Sequence, residues 1–159
     1  MKGLNKKFLP VSVDITNKPI LILGGDNSAL KKIRILQAYT DDLVVIGKII
    51  HNQIKEMGIK FIEKEIEKDD LNGFNILYSC TNNLELNKEI IQWGHELGIM
   101  VNIHDKPELC DFISPAVIKR DNITISVSTN GEDALMSIAI RDKLKEMIEN
   151  ENILEWLKY

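Results

Sequence analysis

The chain has 159 residues, 44% of them hydrophobic and 28% charged, with a formal net charge of −4. That length supports one domain with a real core and a short appendage, and the acidic balance removes any general electrostatic attraction to nucleic acid. No apolar run approaches the roughly 20 residues that span a bilayer, the basic start Met1–Lys7 lacks the apolar stretch of a secretory leader, and Cys80 and Cys110 form no CxxC pair and read as free thiols of a reducing cytoplasm.

Residues 8–14 read as an extended lead-in, closed by a turn at Thr16-Asn17-Lys18. Pro19-Ile20-Leu21-Ile22-Leu23 is an apolar burst of strand length. Gly24-Gly25-Asp26-Asn27-Ser28-Ala29 follows, then a helical run to Tyr39 with Ser28 as its expected N-cap. Ala29, Ile33, Leu36 and Gln37 share one face of that helix, while Lys31, Lys32 and Arg34 spread over the others. Leu43-Val44-Val45-Ile46 is a second buried strand, so the stretch from Pro19 to Lys48 forms a strand–helix–strand unit.

A short helix is expected over 49–57, closed by Gly58, and a third strand over 59–62. Residues 63–70 are charged and superficial. A fourth strand over 75–80 delivers Thr81-Asn82-Asn83, and a helix over 84–97 stops at Gly98. A fifth strand over 99–103 delivers His104-Asp105. Alternating strands and helices imply a parallel sheet covered on both faces. Beyond it the rhythm changes. Residues 116–120 and 123–128 flank the turn signal Asp121-Asn122 as a hairpin, and a helical run from about Asp133 to Tyr159 follows, with a break near Asn150.

The glycine turn has two physical readings. At the carboxyl end of a buried strand and the amino end of a helix, backbone N–H groups favour an anion, typically a dinucleotide pyrophosphate. Glycine there is also explained by backbone conformation alone. The turn follows the G-x-G-x-x-A template but puts Asp26 in place of the second glycine. The acid that usually ends the second strand and holds a ribose hydroxyl is absent, and Gly47-Lys48 stands there.

Longer motifs occur in order. They are Leu9-Pro10-Val11; the Gly-Gly turn with Ala29-x-Lys31-Lys32-Ile33-Arg34; Cys80-Thr81-Asn82; and the string from Val101-Asn102-Ile103-His104-Asp105 through Pro107-Glu108-Leu109-Cys110-Asp111-Phe112 to Pro115-Ala116. Ile123 to Gly131 and Ile140-Arg141-Asp142-Lys143-Leu144 complete the set. The chain resembles the precorrin-2 dehydrogenase/sirohydrochlorin ferrochelatase family, the dehydrogenase–chelatase module of siroheme synthases, over nearly its whole length. The resemblance implies an α/β, Rossmann-like parallel sheet with helices on both faces, followed by a small β-hairpin dimerisation segment and a short helical C-terminus. It places the boundary between residues 1–115, which bind NAD, and residues 116–159, which make a homodimer by exchanging the hairpin region.

The same resemblance implies NAD-dependent oxidation of precorrin-2 to sirohydrochlorin and, in several members, insertion of ferrous iron as a further substrate. It makes Asp105 the catalytic acid, taking protons from the macrocycle. It assigns Gly24, Gly25, Asp26, Asn27, Ser28 and Ala29 to the cofactor, with Thr81 and Asn82 beside the nicotinamide. Ser128, Thr129, Asn130, Gly131 and His104 are its candidates for the tetrapyrrole side, and no residue is assigned as a metal ligand. Lys31, Lys32 and Arg34 are either a solvated face or a basic rim for the substrate's carboxylates.

Departures from the family pattern define an alternative. Asp26 replaces the third of three family glycines, Asp133-Ala134 replaces a common Ser-Pro, and the chain stops at Tyr159 where members usually continue into a longer helical lid. The alternative is a member that has lost NAD binding and acts on a tetrapyrrole only as a chelatase, or serves as a non-catalytic scaffold.

Overall fold

The computed structural model describes residues 5–150. Contacts divide the chain into two compact units: one runs from Leu9 to Phe112, and the other joins the segment ending at Phe8 with the chain from Ile113 onward.

The first unit runs β1 (Ile20–Leu23), α1 (Asn27–Leu36), β2 (Leu43–Gly47), α2 (Asn52–Lys55), β3 (Lys60–Glu63), a 3-10 turn at Lys68–Leu71, β4 (Ile76–Ser79), α3 (Leu84–Glu96), β5 (Met100–Ile103) and a 3-10 turn at Pro107–Leu109. The five strands form one parallel sheet in the order β3-β2-β1-β4-β5. β1, β2 and β4 are buried at every position, which is why they read as unbroken apolar runs rather than as alternation. Each buried Leu or Ile contributes about 1.5–3 kcal/mol, so these strands hold most of the core.

α1 buries Ala29, Leu30, Ile33 and Leu36 in a cluster with Ile20, Ile22, Ile76 and Tyr78. α3 covers the opposite face. Val101 pairs with Leu77, whose side chain points away from Tyr78. On α3, Gly94 is bare because a Cβ there would come within 2.4 Å of Val101 Cγ2. The family-type fold read from the sequence is therefore present.

Local differences have physical reasons. The N-cap of α1 is Asp26, not Ser28, because the Asp26 carboxylate accepts from the Ser28 and Ala29 amides. The helix expected over 49–57 shortens to Asn52–Lys55. Its first residues are diverted, with the Ile50 amide donating to Glu63 Oε1 and the His51 amide to the Gly25 carbonyl. β3 is an edge strand exposed at every position, so its short apolar pair Phe61-Ile62 carries little of the core.

In the second unit β6 (Ala116–Arg120) and β7 (Ile123–Val127) pair antiparallel. Asp121 enters the turn at φ 50°, a left-handed conformation that Asp and Asn tolerate better than most residues. α4 (Ala134–Asn150) packs on both strands, which a two-stranded sheet needs for stability. Among its exposed residues are the apolar Leu135, Met136, Ile138, Ile140 and Met147, with charged residues over its second half. The expected break near Asn150 and the run beyond it fall at or outside the limit of the described residues.

Candidate active site

In the strand order β3-β2-β1-β4-β5 the chain reverses direction of travel between β1 and β4. Ligands of open α/β sheets bind at that reversal, outside the carboxyl ends of the strands. A groove of about 250 Å³ opens there, lined by Gly24, Gly25 and Asp26 after β1, by Gly47, Lys48 and Ile49 after β2, and by Cys80, Thr81, Asn82 and Leu86 around the β4–α3 loop. Glu65 and Ile66 close its outer end. Ligand pockets run from about 300 to 1,000 Å³, so the groove is at the small end of that class and open to solvent on one side.

The walls are glycine for stated reasons. Gly24 has φ 101°, a conformation strained for any residue with a Cβ. A Cβ on Gly25 would lie 2.3 Å from the Ile49 carbonyl oxygen, and one on Gly47 would lie 3.1 Å from the Gly24 backbone. Three strand ends thus converge through bare backbone. Ladder bonds continue past the strands to hold them, from the Gly24 amide to the Ile46 carbonyl and from the Cys80 amide to the Leu23 carbonyl.

The anion donors of the turn are engaged. Asp26 Oδ1 lies 2.9 Å from the Ser28 amide and 3.2 Å from the Ala29 amide. Asn82 Nδ2 donates a long bond of 3.5 Å to Asp26 Oδ2. Of the expected cofactor residues, Gly24, Gly25, Asp26, Thr81 and Asn82 line the groove, while Asn27, Ser28 and Ala29 form the first turn of α1 behind it.

Asn87 is a structural residue the sequence reading missed. It is buried on α3, its Oδ1 accepts from the Ser79 and Thr81 hydroxyls, and its Nδ2 donates to the Thr81 carbonyl. This brace fixes the β4–α3 loop against the groove. Its signal was available: Asn87 stands three residues before Ile90 and seven before Gly94, on the helix's buried face.

One strand further on, the turn after β5 presents His104 and Asp105. The His104 amide donates to the Ser79 carbonyl, prolonging the β4–β5 ladder. Asp105 then adopts φ 55°, and its side chain is 83% exposed, with His104 Nε2 3.4 Å from Oδ2. The long motif around it is a clasp. The Val101 amide donates to Asp111 Oδ2, Asn102 Nδ2 donates to the Phe112 carbonyl, and the Ile103 amide donates to Cys110 Sγ, whose thiol donates back to carbonyls of the same loop. The 104–111 loop is folded back on β5, with Asp105 held at its outer bend.

Cys110 is therefore a packing and hydrogen-bonding residue. Cys80 is equally buried, and burial pushes its thiol up to about 12. Lys32 departs from the solvated-face reading of the basic helix. It is half-buried, with Nζ 4.5 Å from the Tyr78 ring centroid. Desolvation lowers its pKa, against the attraction of Cys80, Cys110 and Asp105.

The remaining candidates lie in the second unit. The Asn130 side chain accepts from the Phe8 amide and donates to the Lys6 carbonyl. The Asp133 amide donates to Thr129 Oγ1, which also lies 3.0 Å from Ser137 Oγ. Ser128 Oγ accepts from the Asn130 amide, and Gly131 has φ 80°. Among the described residues no group of three or more His, Cys, Asp or Glu side chains could hold a metal ion. None of their helices is long and apolar enough to cross a membrane.

Asp111 gives a direct test of the clasp. Asp111→Ala leaves the Val101 amide unpaired and removes the contact at 3.0 Å with His95 Nε2. A buried donor left unsatisfied costs about 1–3 kcal/mol. Chemical denaturation is expected to show a loss in that range, with Asp111→Asn recovering part of it through its remaining carbonyl oxygen.

A doubly wound sheet with a glycine-walled groove at its reversal point defines a dinucleotide-binding type of α/β domain. The chain belongs to the family described as putative NAD(P)-binding, whose model matches residues 11–116. It is 33% identical over 145 residues to the siroheme synthase of Vesicomyosocius okutanii subsp. Calyptogena okutanii (strain HA), covering 89% of this chain and 31% of that protein. It is 28% identical over 148 residues to the siroheme synthase of Buchnera aphidicola subsp. Acyrthosiphon pisum (strain APS), covering 91% of this chain and 31% of that one. The chain thus spans under a third of the length of these relatives. In three dimensions it resembles a solved structure named SirC, precorrin-2 dehydrogenase, with a TM-score of 0.73, 19% identity, and coverage of 87% of this chain and 70% of that one. The family resemblance carried by the 101–116 string is borne out.

Proposed function

We propose that the chain is the dehydrogenase module of siroheme biosynthesis, oxidising precorrin-2 to sirohydrochlorin with NAD. The observation that carries this reading is that Asp105 stands in the turn after β5, the strand beside β4, whose carboxyl end borders the glycine-walled groove. The groove suits a nicotinamide dinucleotide, with Gly24, Gly25 and Gly47 giving backbone access and Thr81 and Asn82 flanking the far side. When bound, that cofactor supplies the hydride acceptor. The chain's own part is to hold the macrocycle and to take the proton left behind, and the exposed Asp105 carboxylate suits the second task. His104, 3.4 Å from it, suits orientation of that carboxylate. Ferrous iron enters the proposal only as a later substrate, with Asp105 receiving protons from the pyrrole nitrogens. We place the reaction in the cytoplasm, where the buried thiols Cys80 and Cys110 stay reduced.

The test is an anaerobic assay with precorrin-2 and NAD, following NADH formation and the spectrum of the macrocycle together. Appearance of both supports the proposal, and neither appearing at millimolar NAD overturns it.

A second reading is favoured by Asp26, whose carboxylate sits on the amides a phosphate would use. In it the chain has lost the hydride step and keeps tetrapyrrole binding or metalation. Iron insertion into supplied sirohydrochlorin, without NAD binding, is its expected signature.

We also propose a homodimer built on residues 116–159. The exposed Leu135, Ile138 and Met147 on α4, beside a sheet of only two strands among the described residues, support self-association. Sedimentation at micromolar concentration is expected to give twice the mass of the 18.1 kDa chain, and Leu135→Glu with Ile138→Glu is expected to give the monomer.

A further inference from the structure

At the outer end of the groove the backbone of β2 gives way to Lys48, whose Nζ lies 2.6 Å from Glu65 Oε1. The contact is placed by the backbone. The Lys64 amide donates to the Gly47 carbonyl, so the residue after Lys64 emerges beside the residue after Gly47. The neighbouring charges have partners elsewhere: Glu63 pairs with Lys55, and Lys64 pairs with Glu67 and Asp70. Lys48 and Glu65 both line the groove.

Dinucleotide sites distinguish their cofactors at this end. An acid holding the ribose 2′-hydroxyl favours NAD, and a cation accepting the 2′-phosphate favours NADP. In sequence a lysine directly follows the second strand, which points to NADP. In space the lysine is already bonded to a carboxylate, and that carboxylate arrives from the segment just past β3, the strand alongside.

Resting on the nicotinamide reading above, we propose that Glu65 sets this groove's choice of cofactor. It accepts from the ribose hydroxyls and withholds Lys48 from a 2′-phosphate, so the chain takes NAD in preference to NADP. A 2′-phosphate carries about −1.5 to −2 charges. It must detach Lys48 from Glu65 and then lie beside the released carboxylate.

The experiment is calorimetric titration of NAD and NADP at fixed ionic strength. It uses the full chain as it stands and with Asp26→Ser, so that weak binding does not hide the ratio of the two affinities. Glu65→Gln keeps the side chain's size and removes its charge. It is expected to weaken NAD, strengthen NADP and move the ratio at least tenfold toward NADP. Adding Lys48→Gln to Glu65→Gln is expected to cancel the gain for NADP. Measurable binding with a ratio within twofold of the starting chain in Glu65→Gln overturns the role of Glu65 while leaving the dinucleotide site standing. Binding of neither nucleotide in any variant overturns both.

Discussion

Asp105→Asn is expected to lower kcat/KM for precorrin-2 oxidation by about 10²- to 10⁴-fold, the range that one positioned acid–base group contributes, while leaving the fold and NAD affinity unchanged. The choice of variant follows from the backbone. Asp105 has φ 55°, and a left-handed residue with a Cβ costs about 1–2 kcal/mol unless its short polar side chain bonds locally, as Asn and Asp do. Asp105→Ala therefore adds strain to the chemical loss, whereas Asn keeps size and conformation and removes only the charge. The side chain is 83% exposed, and its contact is the 3.4 Å approach of His104, so little packing depends on it. Thermal denaturation of the Asn variant should superimpose on that of the unaltered chain. An Asn variant with a third or more of the original turnover would remove Asp105 from the chemistry.

The centre of the sheet was legible because β1, β2 and β4 are buried on both faces. Unbroken runs such as Ile20-Leu21-Ile22-Leu23 and Leu43-Val44-Val45-Ile46 have few alternatives in a chain of this length. The positions in the fold of Asp105, in the turn after β5, and of the groove's glycines, at the ends of β1 and β2, were legible as well, since turn chemistry and long motifs are local in sequence. What escaped depends on contacts between distant residues. Asp26 capping α1 is a choice between two good capping residues, Asp26 and Ser28, that only the path of the incoming strand decides. Lys32 reads as a surface cation because it flanks the apolar stripe, yet the aromatic ring of Tyr78, 46 positions away by the numbering, draws its stem inward. Glu65 belongs to a charged stretch with no periodicity, and its meaning appears only when Lys48 lies beside it.

Asp26→Ser is expected to raise affinity for NAD at least tenfold at little cost in stability. The Asp26 carboxylate accepts from the Ser28 and Ala29 amides at 2.9 and 3.2 Å, the donors a pyrophosphate uses at the start of a helix. A bound phosphate must displace that carboxylate or lie against it. Two unit charges at about 4 Å repel by about 4 kcal/mol at an effective dielectric near 20, and the exposure of Asp26 reduces this through solvent and salt. Even a third of it, about 1.4 kcal/mol, is tenfold in affinity. Serine removes the charge but caps a helix about as well as aspartate, whereas alanine in the same place costs about 0.5–2 kcal/mol. The backbone at Asp26 is extended, with φ −87°, so serine needs no left-handed conformation. The two substitutions separate the residue's roles: Asp26→Ser moves affinity and not stability, and Asp26→Ala moves both. Salt supplies an independent check, because raising ionic strength should narrow the gap between the unaltered chain and Asp26→Ser. An affinity for NAD that is unchanged or lower in Asp26→Ser means that the carboxylate is no obstacle and that any dinucleotide lies clear of the helix start.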